Sequence, residues 1–355
     1  MFAKKHYPDT LLPHELDELL ARGWYRMGQT IFTTHFLCFG QEFYSAIWVR
    51  LDLQGYRFRK SLRKIIRRNK EAFNYKIQPA EITEEKEKLY QKYRTSFSGM
   101  LAPSLKESLL DTEDTSIYNT YEVQIFVDDR LVALSFFDLG KNSLSSITGI
   151  YDPDFRKFSL GLFTMLLEVE YGRENGYRYF YPGYVVPGYD RFDYKLRIGE
   201  VHYYDLTTKG WLPYAQLQKE LIPMTRMREK LQDLAAALNK VNVPHKILMY
   251  PLFEANLFGF WMATCLDFPV FLWCYPSNNP EEYLLIVYDP RVTAYRVLNC
   301  SQFDDIQFYF RESYTKSFDQ DVFFMELLVM GKDLGRATDA VELAQLLSRL
   351  PGRVG

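Results

Sequence analysis

The sequence predicts an α/β (α+β) protein of 355 residues in several parts, with a mixed sheet at its centre. Three observations carry this expectation. Between Tyr121 and Gly199, three β-patterned segments precede one helical segment and a fourth strand. Ahead of them lies a small α+β region that ends in a strongly basic helix. Behind them, four further β-patterned runs are separated by Pro, Asn and Asp turns and closed by a helix. The expected parts are residues 1–79, a central domain at 80–210, a helical connector at 211–245 and an additional α+β domain at 246–355.

In the first part, TLLPHELDELLARGW carries Leu16, Leu19 and Leu20 at helical spacing and ends at Gly23, which predicts a short amphipathic helix. QTIFTTHFLCF and YSAIWVRLDL read as strands. The run Tyr56 to Lys76 holds nine Lys or Arg against Glu71 alone, a local sum of +8 in a chain that totals −2. Leu62, Ile65, Ile66, Asn69 and Phe73 line one face of the implied helix, while Lys60, Arg63, Lys64, Arg67 and Arg68 crowd the rest. One reading is a solvated basic face. The other is a phosphate-binding face, because like charges so closely packed repel one another and a nucleic-acid backbone relieves that repulsion.

The central part opens with Leu89, Tyr93 and Phe97 four apart, a helix to pack on a sheet, and SLKESLLD as a second, shorter one. YEVQIFV and LVALSFFDL alternate around the turn Asp128-Asp129-Arg130, a hairpin, and SLSSITGIY is a third strand. Ser159 is placed to cap a helix carrying Leu162, Met165, Leu166 and Val169, with Gly172 and Gly176 marking its end. YRYFYPGYVV returns as a strand. Arg156, Lys157 and Ser159 stand at the helix start, where unpaired amides and a partial positive charge favour an anion. This order is that of the GNAT-type acyltransferase fold, in which two neighbouring strands splay and an acyl group meets an amine in the gap. A coenzyme A donor calls for Arg-x-x-Gly-x-Gly/Ala in the turn. FRKFSLGL offers Arg156 and Gly161 with one glycine, so a coenzyme A-dependent N-acyltransferase is the runner-up.

A sharper resemblance follows from Asp138, Leu144-Ser145, Tyr151-Asp152-Pro153-Asp154, Ser159-Leu160-Gly161, Gly183-Tyr184 and Tyr194-Lys195. In order and spacing this resembles the C-terminal domain of arginyl-tRNA-protein transferases. LLPHELDELLARGWYRMGQTIF and FRKSLRKIIRRN resemble earlier parts of that family, so the likeness covers roughly the first 205 residues. It implies a GNAT-like catalytic domain that moves arginine from arginyl-tRNA to the α-amine of proteins or peptides beginning with Asp or Glu. Leucine is the alternative donor residue. The tRNA would be held by Arg63, Lys64, Arg67, Arg68, Arg156, Lys157, Ser159 and Gly161. The acceptor would meet Tyr184, Tyr194, Lys195 and Arg197, with Arg191 nearby. Lys195 and Arg197, alternating on a strand, would share one face, and Tyr181, Tyr184 and Tyr194 could stack on the terminal adenine or simply pack the core. Two departures stand out. The family carries Tyr where this chain has Thr148, and its N-terminal cysteine cluster is absent, leaving Cys38.

The chemistry needs little machinery, because an aminoacyl ester is already activated and an α-amine has a pKa near ~7.7–8.0. A proton acceptor and carbonyl-oxygen donors remain to be found. Asp138, Asp152 and Asp193 are the carboxylate candidates, although Asp152 before Pro153 equally reads as a turn and Asp138 as a strand end. Cys38, Cys265, Cys274 and Cys300 lack metal-ligand spacing, so no metal and no cofactor is expected, and the thiols fit a cytosolic protein. No signal peptide is recognised, and the most apolar run, Ala255 to Tyr275, is interrupted by Asp267 and Pro269, so no membrane partner is expected. A tRNA-binding regulatory protein is the non-enzymatic alternative.

Overall fold

A computed structural model describes residues 1–258, 263–274, 282–303 and 316–349. It is a mixed α+β structure of several sheets. Strands β1 (Ala3–His6), β2 (Tyr25–Met27) and β3 (Thr30–Thr34) form a small antiparallel sheet beside helix α1 (Pro13–Ala21). A hairpin of β4 (Phe36–Phe39) and β5 (Glu42–Ser45) follows, then β6 (Ile47–Asp52). Each of the two expected strands of this region is thus broken in two, at His35 and at Ala46.

The basic run is helix α2 (Lys60–Ala72). Leu62, Ile66 and Asn69 are buried along one side, Phe73 follows them inward, and Arg63, Lys64, Arg67 and Arg68 are exposed. Strand β7 (Asn74–Pro79) and helices α3 (Glu84–Ser96) and α4 (Leu105–Leu110) lead to the hairpin of β8 (Thr120–Val127) and β9 (Arg130–Leu139), then to β10 (Ser143–Tyr151). A 3-10 turn at Pro153–Phe158 enters helix α5 (Leu160–Glu174), and β11 (Tyr179–Val185) returns. Gly172 lies inside α5, where an added Cβ would come 2.5 Å from Leu144 Cδ2. That glycine is set by close packing of helix on sheet and not by the helix end, which comes at Gly176 with φ +77°.

With β12 (His202–Asp205) and β13 (Gly210–Pro213), these strands make an eight-stranded sheet in the order β13-β12-β6-β11-β10-β9-β8-β7. β6 and β7 come from before residue 80, so that boundary does not coincide with a sheet boundary. Only β10 and β11 run parallel within it, the pair joined by α5, and the other neighbours are antiparallel. Helix α5 buries Leu162, Phe163, Leu166 and Val169 against one face of this sheet.

DYKLRIG, expected as a strand, forms 3-10 turns at Asp190–Ile198. Lys195 and Arg197 therefore do not alternate on a strand face; the run of Tyr, Asp and Lys lacks the period-2 apolar pattern that would hold it in a sheet. The expected helix before Pro223 is likewise two short 3-10 turns, and helix α6 (Pro223–Lys240) begins with that proline at its first position. Beyond it, β14 (His245–Met249), β15 (Val270–Cys274), β16 (Glu282–Asp289), β17 (Ala294–Phe303) and β18 (Leu327–Ala337) form an antiparallel meander covered by α6 and α7 (Ala340–Ser348). Strand β18 has no counterpart in the sequence reading. Phe2, Phe36 and Phe43 from the start of the chain pack into the core of this second sheet.

Candidate active site

The parallel pair is the point from which the site is built. β10 and β11 are in register at Ser143–Tyr179, Leu144–Phe180 and Ser145–Tyr181, and pairing stops there although β10 continues to Tyr151 and β11 to Val185. Each strand is irregular against its other neighbour just past that point, at Ser146/Thr148 and at Phe180/Gly183. Two bulges side by side turn the strands apart. Tyr25 fills the crotch of the fork, its hydroxyl contacting the Ser146 carbonyl and lying 3.0 Å from the Tyr181 carbonyl. Sequence reading missed Tyr25, whose role depends on a contact 121 residues away.

Beyond the fork opens a cleft of about 720 Å³. Arg26, Arg156, Arg191, Lys195 and Arg197 line it, and among the described residues Glu168 is the one acidic side chain that does so. Phe32, Trp48, Leu101, Ile147, Met165 and Phe192 supply apolar wall. Gly183 has φ +94°, and an added Cβ would lie 3.0 Å from Lys195 Nζ, so the absent side chain makes room for that amine. Lys195 donates to the Tyr184 carbonyl at 3.0 Å. Burial among Tyr184 and Phe192 brings its pKa down to about 7.

One end of the cleft is the start of α5. Ser159 takes the helix-capping position, but in the left-handed region (φ 56°, ψ 45°) and with no side-chain hydrogen bond to the helix. Its side chain therefore does not cap as the sequence suggested; its carbonyl accepts from the Leu162 and Phe163 amides at 3.0 Å, which leaves the Leu160 and Gly161 amides for another acceptor. Ser159, Gly161 and Arg156 line the cleft here. Helix α2 is tied to the same turn, since Arg68 Nη2 and Asn69 Nδ2 both donate to the Phe158 carbonyl at 3.0 Å. Arg63, Lys64 and Arg67 on α2 and Arg156 and Lys157 on the turn thus belong to adjoining elements.

The three expected carboxylates fall elsewhere. Asp138 is wholly buried beside Arg26 and Thr120 and does not line the cleft. Burial raises its pKa, against the pull of Arg26 and Thr120. Asp152 is buried between Lys92, at 2.7 Å, and Arg130, and it accepts from the Asp154 amide at 3.0 Å. Burial would raise its pKa, but Lys92, that amide and Arg130 outweigh it and hold the carboxyl low. It therefore pins the 3-10 turn. Asp193 is exposed and outside the cleft. Tyr184 packs edge-on against Trp48 with ring centroids 5.2 Å apart, Tyr181 is buried, and Tyr194 is 38% exposed at the cleft edge.

Glu168 is the carboxylate at the cleft floor. It faces inward from α5 and accepts from Ser135 Oγ at 2.6 Å, and its Oε2 has no hydrogen-bond partner among the described residues. Burial pushes its pKa up to about 8, with the Ser135 and Ser146 hydroxyls pulling the other way. The sequence signal was a lone acid among Leu166, Leu167 and Val169, at a position where helical spacing turns inward.

Residues 85–205 match the family model described as arginine-tRNA-protein transferase, C terminus. Among curated relatives, an aspartate/glutamate leucyltransferase from Helicobacter hepaticus is 30% identical over 185 residues, covering 50% of this chain and 74% of the relative. One from Leptospira interrogans is 26% identical over 194 residues, covering 53% and 74%. The solved structure of FemX overlaps 54% of this chain and 65% of its own at 11% identity and a TM-score of 0.33, too distant to bear on activity. The motif order, the matched model and the relatives agree, and the chain belongs to the aminoacyl-tRNA-protein transferase family.

Proposed function

We propose that the chain transfers leucine from leucyl-tRNA to the α-amine of proteins whose first residue is Asp or Glu, in a GNAT-like cleft between β10 and β11. The charge inventory of that cleft carries the reading. Arg26 is paired with Asp138, which leaves Arg156, Arg191, Lys195 and Arg197 against Glu168 as the one acid lining it among the described residues. A tRNA 3′ end and an acidic acceptor both complement such walls. An arginyl side chain, the donor implied by the first resemblance, would bring a further cation to a site whose single carboxylate is held by Ser135. A leucyl side chain finds apolar wall at Phe32, Trp48 and Ile147. The relatives named as aspartate/glutamate leucyltransferases support the same choice.

In this reading the exposed cations of α2 and the turn at Arg156 and Lys157 receive phosphates, and the uncapped start of α5 receives the terminal one. The acceptor carboxylate pairs with Lys195, flanked by Arg191 and Arg197. The free α-amine attacks the ester carbonyl carbon. A C–N bond forms, the C–O bond to the terminal ribose breaks, and the amine proton leaves for a base while the ribose oxygen regains one. Residues 80–210, joined by β2, β3, β6, α2 and β7, form the catalytic unit, and residues 246–355 an α+β unit whose core also takes Phe2, Phe36 and Phe43.

The test is transfer of radiolabelled leucine and arginine from purified charged tRNA to peptides beginning with Asp, Glu or Ala. Leucine on the acidic peptides alone is expected. Arginine transfer would reverse the donor assignment, acetyl transfer from coenzyme A would replace the donor class, and salt-sensitive tRNA binding without transfer would leave a binding protein.

A further inference from the structure

Glu168 sets itself apart from the other buried carboxylates of this sheet. Glu122 is met by Lys86 at 2.6 Å, Asp138 by Arg26 at 2.7 Å and Asp152 by Lys92 at 2.7 Å. Glu168 is as buried as these and has no cationic partner among the described residues. An isolated carboxylate in such a place is costly, and the usual resolutions are an opposite charge or a proton. The groups facing it are the hydroxyls of Ser135 on β9 and Ser146 on β10, with Tyr25 from β2 and Tyr194 from the 3-10 segment as the nearby titratable side chains. Oε1 is held by Ser135, and Oε2, like Asp138 Oδ2, has no hydrogen-bond partner among the described residues; unlike Asp138, Glu168 lines the cleft in which an acyl ester and an amine would meet. A fixed carboxyl with one oxygen anchored and one vacant is arranged to take up a proton and give it back.

We propose that Glu168 is the catalytic base of the transfer, taking the proton from the attacking α-amine on Oε2 and returning it to the ribose oxygen as the ester C–O bond breaks. The assignment rests on the transfer reading above. It replaces Asp138, Asp152 and Asp193 in that role, and the proton balance closes without any further reactant. A carboxylate with a pKa near 8 is a stronger proton acceptor than an ordinary one, and since it acts only when deprotonated, turnover should fall below about pH 8.

The test compares the full-length wild type with Glu168→Gln, an isostere of the protonated side chain. Turnover is measured at saturating leucyl-tRNA and Asp-peptide from pH 6 to 9.5, with tRNA affinity as a control. Because the peptide amine titrates in the same range, the series is repeated with hydroxylamine, a much weaker base, as acceptor, subtracting its uncatalysed reaction. The expected result is a loss of at least ~100-fold in turnover with tRNA affinity kept. The wild-type acid limb near pH 8 should also persist with hydroxylamine and vanish in the variant. Wild-type turnover in Glu168→Gln, or an acid limb shared by both proteins, overturns the role. If Glu168→Gln fails to bind tRNA, Glu168→Asp decides: a displaced limb supports the role and an unmoved one overturns it. A wild type that transfers nothing from any charged tRNA would instead remove the transfer reading itself.

Discussion

Arg26 Nη1 lies 2.7 Å from Asp138 Oδ1, and both side chains are out of reach of solvent. Thr120 Oγ1 donates to the same oxygen at 2.7 Å, while Arg26 Nε reaches the Gly28 carbonyl at 2.8 Å and Nη2 the Leu109 carbonyl. One ion pair therefore joins β2, the end of α4 and the β8–β9 pair of the large sheet. Its members differ in consequence. Removing Arg26 leaves a charge that water cannot reach, which costs about 3–5 kcal/mol in typical cases. Arg26→Ala is expected to lower the urea midpoint strongly. Asp138→Asn should also lose stability, with any loss of transfer tracking the folded fraction. A stable Asp138→Asn protein with abolished turnover would return Asp138 to the chemistry.

Glu168 makes a prediction about stability that is separate from its role in transfer. Its folded pKa of about 8 lies above the ordinary value of 4.5, so the folded chain keeps a proton that the unfolded chain has lost between those values. Folding then takes up a proton in that window. The contribution of Glu168 to stability is full below about pH 4.5 and falls as pH rises toward 8, by up to about 1.4 kcal/mol per pH unit. Glu168→Gln cannot ionise, so its melting temperature relative to wild type should climb from pH 5 to pH 8 and level off above. A constant difference across that range would mean that Glu168 is ionised throughout.

Much of this architecture was legible because local pattern and burial coincide. Alternation gave β8, β9 and β10, and the inward face Leu62, Ile66, Asn69 and Phe73 was readable from helical spacing alone. The place of the turn at Arg156 and Ser159, proposed to meet phosphate, was legible for the same reason, being a junction of adjacent elements. The carboxylate proposed as the base was not. Asp138, Asp152 and Asp193 drew notice because they lie in or beside recognisable motifs, whereas Glu168 is an acid inside a helix, and only the packing of α5 on β9 and β10 places it under the fork. Tyr25 was hidden likewise, by a contact 121 residues away, whereas Lys195 was named from its motif but set on a strand where the chain forms 3-10 turns.

Lys195 should confer acceptor choice in a pH-dependent manner. With its pKa brought to about 7 by burial, the amine is charged below that pH and progressively neutral above it. Its attraction for an Asp or Glu side chain is therefore present at low pH and lost as pH rises through 7 in the free enzyme. The KM for an Asp-peptide should climb between pH 6 and 8.5, and the KM for an Ala-peptide should not follow it. Lys195→Ala should reduce kcat/KM for the Asp-peptide by about 10- to 100-fold, the worth of a charge-assisted hydrogen bond, and flatten that pH dependence. Equal losses for Asp- and Ala-peptides would mean that Lys195 supports the fork without reading the acceptor.

The basic helix α2 is expected to act on tRNA through charge and position together, and its residues should separate in a salt titration. Arg63 and Lys64 are exposed and enter no ion pair among the described residues, and Arg67 has only a loose one with Glu71 at 3.9 Å. Each that meets a phosphate releases counterions on binding, so each alanine substitution should flatten the plot of log affinity against log salt by about 0.7–0.9. Turnover at saturating tRNA should stay unchanged. Arg68 should behave differently. Its guanidinium holds the Phe158 carbonyl beside the start of α5, so Arg68→Ala should slow transfer even at saturation by loosening the turn that carries Arg156. Loss of turnover in all four variants alike would make α2 a structural support of the cleft, and an unchanged salt slope in all four would place the tRNA on another face.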